Sequence, residues 1–216
     1  MQLIELQYSK LIHALQRERG ATCASVAGSS DYFAALVVEE REATDKLITD
    51  SCLSERLQAL REDVDGAVVA DPVPHSDVDV NARTAITFYS IFQRFNALIQ
   101  EALKQQRHGK RDDEIYDAFI RLKEATGVER AFLCGALALP VDSLVHLPSR
   151  AFADLVIGMQ QQRQHEATIR EKAPSNLLEL VSAGFEHSPE LREIQSRLLQ
   201  DFDVVRLRQS VSADTC

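Results

Sequence analysis

Residues 78 to 106 read VDVNARTAITFYSIFQRFNALIQEALKQQ, and their apolar members Ala82, Ala85, Ile86, Tyr89, Phe92, Leu98, Ile99 and Leu103 recur mostly at steps of three and four. That is the period of an amphipathic helix, so the stretch predicts one long helix with a single buried stripe. Before it, Ala70-Asp71-Pro72-Val73-Pro74-His75-Ser76-Asp77 reads as a loop, with two prolines close together and Ser76 or Asp77 as the N-cap. After it, Arg107-His108-Gly109-Lys110 places glycine where a helix terminates.

The same period extends outward on both sides. Ile4, Tyr8, Leu11, Leu15, Thr22 and Val26 predict a helix from Gln2 to about Gly28. Gly28-Ser29-Ser30-Asp31 breaks it, and Ser30 or Asp31 caps the next helix. One or two helices then run from Tyr32 through Leu36, Val37, Leu47, Ile48, Leu53, Leu57 and Leu60, with the pattern stopping near Val64. On the far side, Asp112 or Asp113 caps a helix from about Glu114 to Leu139, and Pro140 to Pro148 reads as a second loop. Ser149 opens a helix over Arg150 to about Lys172, stopped by Ala173-Pro174. Ser175 caps a shorter one ending near His187-Ser188-Pro189, and a last helix spans Glu190 to about Val205.

These elements predict an all-α fold of antiparallel up-and-down helical bundles. About seven or eight helices form two four-helix-bundle-like parts packed together. One domain covers 1–205, and 206–216 is a polar tail. Composition agrees: 45% hydrophobic and 26% charged residues describe a globular chain, and 8 Gly and 6 Pro in 216 residues are too few for a sheet protein's turns.

A net charge of −9 argues against non-specific binding to nucleic acid or an anionic membrane surface. No stretch has the apolar length of a membrane span, and the N-terminus lacks a signal-peptide pattern, so a cytoplasmic location is expected. Cys23, Cys52, Cys134 and Cys216 are not at metal-ligand spacing. The six histidines, His13, His75, His108, His146, His165 and His187, form no metal-binding pair. No glycine-rich phosphate loop or serine elbow is present. The expectation is a protein without enzymatic activity, metal or cofactor.

Two segments echo each other at an offset of 111 positions. Glu18-Arg19 is followed by Cys23 and Ala27, and Glu129-Arg130 by Cys134 and Ala138 at the same spacing. Ile4, Tyr8 and Leu11 correspond to Ile115, Phe119 and Leu122. Either the chain is internally duplicated or two amphipathic helices share their spacing.

The phase of the arginines carries the chemistry. On a helical projection Arg19 falls within roughly 60° of Ile4, at the edge of the apolar stripe, and Arg17 on the opposite side. Arg130 borders its own stripe, and Arg121 faces away. A third face, Phe152, Val156 and Met159, runs into Arg163, Glu166 and Arg170. A guanidinium presents a rigid fork of donors that matches a planar oxyanion, and several forks around one point are favourable only when an anion joins them. The bland alternative is that each arginine pairs with a neighbouring carboxylate in an ordinary ion pair.

Leu15-Gln16-Arg17-Glu18-Arg19-Gly20, followed by small residues through Ser29, resembles the first signature of the nitrate- and nitrite-sensing (NIT) domain family. Leu122-Lys123-Glu124-Ala125-Thr126-Gly127-Val128-Glu129-Arg130-Ala131 resembles the second. The similarity runs to about Phe202. It departs at Ala21-Thr22-Cys23, where Leu-Ser is more typical after the first glycine. The resemblance implies antiparallel helical bundles that bind nitrate or nitrite between helices. Arg17, Arg19 and Arg130 would be its ligand-binding residues, with Arg163 or Arg170 from the C-terminal half. It further implies a signal input that shifts helix packing toward an output domain or partner protein; a homodimer is a separate expectation. The competing reading is an adaptor bundle that acts through protein contacts without a small ligand.

Overall fold

Backbone order in the central elements results from where apolar periodicity and breakers fall. In the computed structural model, which describes residues 2–28, 30–69, 80–107, 114–175 and 178, α1 spans Gln2–Ala27 and stops at Gly28. α2 covers Asp31–Asp45 and α3 Ser51–Val69, so the stretch after Tyr32 is two helices. Lys46 to Asp50 turn the chain between them, and the Asp50 carboxylate accepts from the Leu53 amide at 2.7 Å. α4 is the long helix Val80–Arg107, α5 spans Glu114–Ala138 and α6 Ser149–Lys172.

The Pro140–Pro148 segment is not a plain loop. Val141–His146 forms a 3-10 helix that packs on α4, and the Ser143 hydroxyl reaches Asn81 at 3.1 Å. Its two flanking prolines hid a six-residue helical run that carries no amphipathic stripe of its own. The 70–77 loop with its caps, the Gly109 terminator, the Asp112 or Asp113 cap, the helix expected over 190–205 and the 206–216 tail lie outside the described residues. So does nearly all of the short helix after Ser175.

Among the described residues the fold is all-α, six α-helices and one 3-10 helix without a strand. α1 is the hub: it packs on α2, α3, α4 and α5. Chain direction alternates along the sequence, so α1 and α5 run parallel, with α4 antiparallel beside both. The register shows in two close approaches: residue 16 of α1 meets 127 of α5, and residue 28 meets 138.

Two apolar cores stack along this axis. One joins Leu11, Ile12 and Leu15 of α1 to Leu53, Leu57, Leu60 and Val64 of α3 and to Ile91, Phe95, Leu98 and Ile99 of α4. The other joins Cys23 and Ala27 to Ala85, Phe88, Tyr89 and Phe92 of α4, Phe132 and Ala136 of α5, and Leu155 of α6. Phe88, Phe92 and Phe132 pack with centroids 5.5 to 6.2 Å apart. Gly135 makes room for them: a β-carbon there would lie 2.0 Å from the Phe88 ring.

Candidate functional site

A helix surrounded by four others has little solvent-facing surface, so polar residues on α1 are drawn inside. Gln16, Glu18, Arg19 and Thr22 are all buried, and Arg19 is fully so, at 0% exposure. Such groups are costly unless each is paired. Most are. Glu18 accepts a two-point grip from Arg61 of α3, Nε at 2.7 Å and Nη2 at 3.0 Å, and Arg61 Nη1 donates to Asp45 at 2.7 Å. Arg17 turns toward α2, where its Nε donates to Glu40 at 2.9 Å while half of its side chain stays exposed.

Arg19 lies between the two apolar cores, where α1, α4 and α5 meet. Its Nη1 donates to Asn96 Oδ1 of α4 at 2.7 Å and to Glu124 Oε1 of α5 at 2.8 Å. Gln16 Nε2 donates to the other oxygen of Glu124. Three helices are thus tied by one polar layer. The remaining edge of the guanidinium differs: Nε and Nη2 are buried and have no protein partner. This is the edge with which Arg17 and Arg61 hold their carboxylates. Thr22 Oγ1, one turn along α1, and Gln16 Oε1 are likewise buried without a partner. Across the seam the α5 backbone comes close at Gly127, where a β-carbon would lie 2.9 Å from Arg19 Nη2.

The other arginines expected from the sequence go elsewhere. Arg130 is exposed, and its neighbour Glu129 is the buried member of the pair, accepting from Gln162 of α6. Glu18 and Glu129 therefore share a buried phase that Arg19 and Arg130 do not. Arg163 lies on the exposed face of α6 beside the buried Gln162, and Arg170 pairs with Glu166 at 2.7 Å one turn away. Burial, and then the charges of Lys123, Arg17 and Arg130, lower the His13 pKa.

Glu124, Asn96, Gln16 and Arg61 complete the polar layer and were not singled out from sequence. Arg61 had a readable signal, since it follows Leu57 by one turn and adjoins Leu60, the apolar stripe of α3. Asn96 interrupts the α4 stripe between Phe95 and Leu98, which marks a half-buried polar position. Neither thiol near the site is poised as a nucleophile. Burial pushes the Cys23 thiol up to about 12, against a smaller opposing pull from Arg19, and burial raises Cys134 as well. Among the described residues no His, Cys, Asp and Glu group could hold a metal ion, and no helix is long and apolar enough to cross a membrane.

The family model described as nitrate and nitrite sensing matches residues 10–214 of the chain. No curated protein and no solved structure matches it well enough to name a relative.

Proposed function

The chain belongs to the nitrate- and nitrite-sensing family, and on that premise we propose that it binds its anion at the Nε–Nη2 edge of Arg19, between α1 and α5. The observation that carries this reading is a fully buried guanidinium with one edge satisfied by Glu124 and Asn96 and the other edge unpaired. A planar oxyanion presents two oxygens at the spacing of that edge, and two charge-assisted bonds result. The Thr22 hydroxyl supplies a further donor on the same helix.

Charge sets the affinity. Glu124 already neutralises Arg19, so the site suits a weakly basic, delocalised monoanion better than a second carboxylate. Nitrate and nitrite have that character, whereas a harder anion would lose more hydration than one shared guanidinium returns.

The signal arises from the packing. The α5 backbone rests against the guanidinium at Gly127, so filling the open edge must displace α5 relative to α1. A ligand shifts such an equilibrium by its differential affinity for the two arrangements. The moved seam is then read by an output domain or a partner protein. Arg17, Arg130 and Arg163 are not needed to hold the anion in this reading, and the chain acts as a sensor without catalysis.

Thermal melting tests it. Nitrate at a hundred times its dissociation constant should add about 2.7 kcal/mol of stability over chloride at equal ionic strength. Identical melting curves in the two salts would leave the adaptor reading in its place.

A further inference from the structure

Two close approaches fix how α1 and α5 lie against each other. Gln16 meets Gly127, and Gly28 meets Ala138, where a β-carbon on Gly28 would lie 2.6 Å from the Ala138 carbonyl oxygen. The helices run parallel, and their offset stays at 111 or 110 residues between these two points. Seven residues on from Gln16 is Cys23, and seven on from Gly127 is Cys134. Seven residues make about two turns, so each cysteine returns to the face that makes the first approach. The two cysteines therefore share one level of the seam, bracketed by its two contacts.

Helix geometry sets the distance between them. Helices packed closely through glycine and alanine have axes about 8 Å apart, with α-carbons on cylinders of about 2.3 Å radius. Paired positions flanking such a seam lie roughly 5–6 Å apart at Cα, inside the range a disulfide spans. Both cysteines are free thiols. Cys23 is fully buried, in the core it shares with Phe88 and Phe92 of α4, whereas Cys134 is exposed. They flank the seam from its inner and outer sides, and the charge of Cys134 acts on Cys23.

We infer that Cys23 and Cys134 are a redox-sensitive pair that closes a disulfide across the α1–α5 seam of the folded chain, with a low-molecular-weight disulfide as oxidant. The Cys134 thiolate, reached from solvent, attacks one sulfur of the small disulfide and expels a small thiolate. The Cys23 thiolate then attacks Cys134 Sγ and expels the second. The two cysteines are oxidised and the small disulfide is reduced, and the two thiol protons end on the two small thiols released. Burial raises both protein thiols, so the exchange is slow near neutral pH and quickens as pH rises. The bridge ties α1 to α5 one turn beyond Arg19, so this seam answers to thiol redox state as well as to packing.

The test uses the full chain carrying Cys52→Ser and Cys216→Ser, so that only the pair remains. It is incubated with oxidised glutathione at mildly alkaline pH and analysed by mass spectrometry without reductant. The expected product is a monomer lacking two hydrogens, in which digestion yields a Cys23 peptide joined to a Cys134 peptide. It forms in higher yield in buffer than in denaturing urea, where chain entropy opposes closing so long a loop. It melts roughly 5 °C or more above the reduced chain, and reductant reverses the shift. Adding Cys134→Ser leaves Cys23 unmodified in the folded chain. Two thiols that stay free, a reaction that stops at glutathione on Cys134, or a bridge that forms only in urea overturns the proposal. So does a bridged chain that melts below the reduced one. None of these readings involves nitrate, so they stand or fall apart from the anion site.

Discussion

Gly127 of α5 and Arg19 of α1 touch so closely that a β-carbon on the glycine would lie 2.9 Å from Nη2 and 3.4 Å from the Gln16 amide. The guanidinium end cannot swing aside freely, because Nη1 is held by Asn96 and Glu124. Gly127→Ala should gain about 1 kcal/mol of helix propensity and lose a comparable amount by crowding Arg19. Its melting temperature in chloride should therefore stay near that of the parent, while stabilisation by nitrate falls sharply. Full nitrate stabilisation in this variant would separate Gly127 from the site.

Glu124 has two roles that oppose each other. It neutralises a buried arginine, and it repels an anion arriving at the other edge. Glu124→Gln keeps the shape and removes the charge. In chloride it should unfold with a loss of about 3–5 kcal/mol, the cost of breaking one side of a buried pair. Nitrate should bind it tighter than the parent, by about tenfold for each 1.4 kcal/mol of repulsion removed. Denaturant melts and a nitrate titration on the same sample check both signs, and weaker nitrate binding would contradict the placement of the anion beside Glu124.

Gly135 serves packing alone. An alanine there would meet the Phe88 ring at 2.0 Å, in the core where Phe92 and Phe132 also pack. Gly135→Ala should cost about 1–3 kcal/mol by overpacking, in chloride and in nitrate alike. The difference between its two melts should equal that of the parent, which makes it the structural control for Gly127→Ala.

How far the sequence could be read depended on what decides each feature. Apolar periodicity and breakers decide helix placement, and α1, α4, α5 and α6 lie where those signals put them. The 3-10 helix at Val141–His146 escaped, because it is too short to show a period and is held by α4 rather than by its own stripe. Phase on a single helix put Arg19 only at the edge of the apolar stripe and Arg17 on the opposite side, and the packing of α4 and α5 buries Arg19 fully. Phase could not place Arg130, since exposure there depends on which side of the α1–α5 seam α4 covers, a tertiary fact. Nor could it pair Arg19 with Glu124 or Glu18 with Arg61, which are distant in sequence and meet across helices. The resemblance in the two signatures supplied the family, and the packing supplied the reason for Gly127 within the second of them.

The most direct measurement is calorimetric titration of nitrate into the parent chain and into Arg19→Lys. Lysine keeps the positive charge that Glu124 and Asn96 require but has no parallel pair of donors. A binding isotherm is expected for the parent. For Arg19→Lys, at unchanged helical content, the expected affinity is weaker by about tenfold or more, the loss of one charge-assisted bond. Equal affinity in the two proteins would show that the anion is not held by the open edge of Arg19.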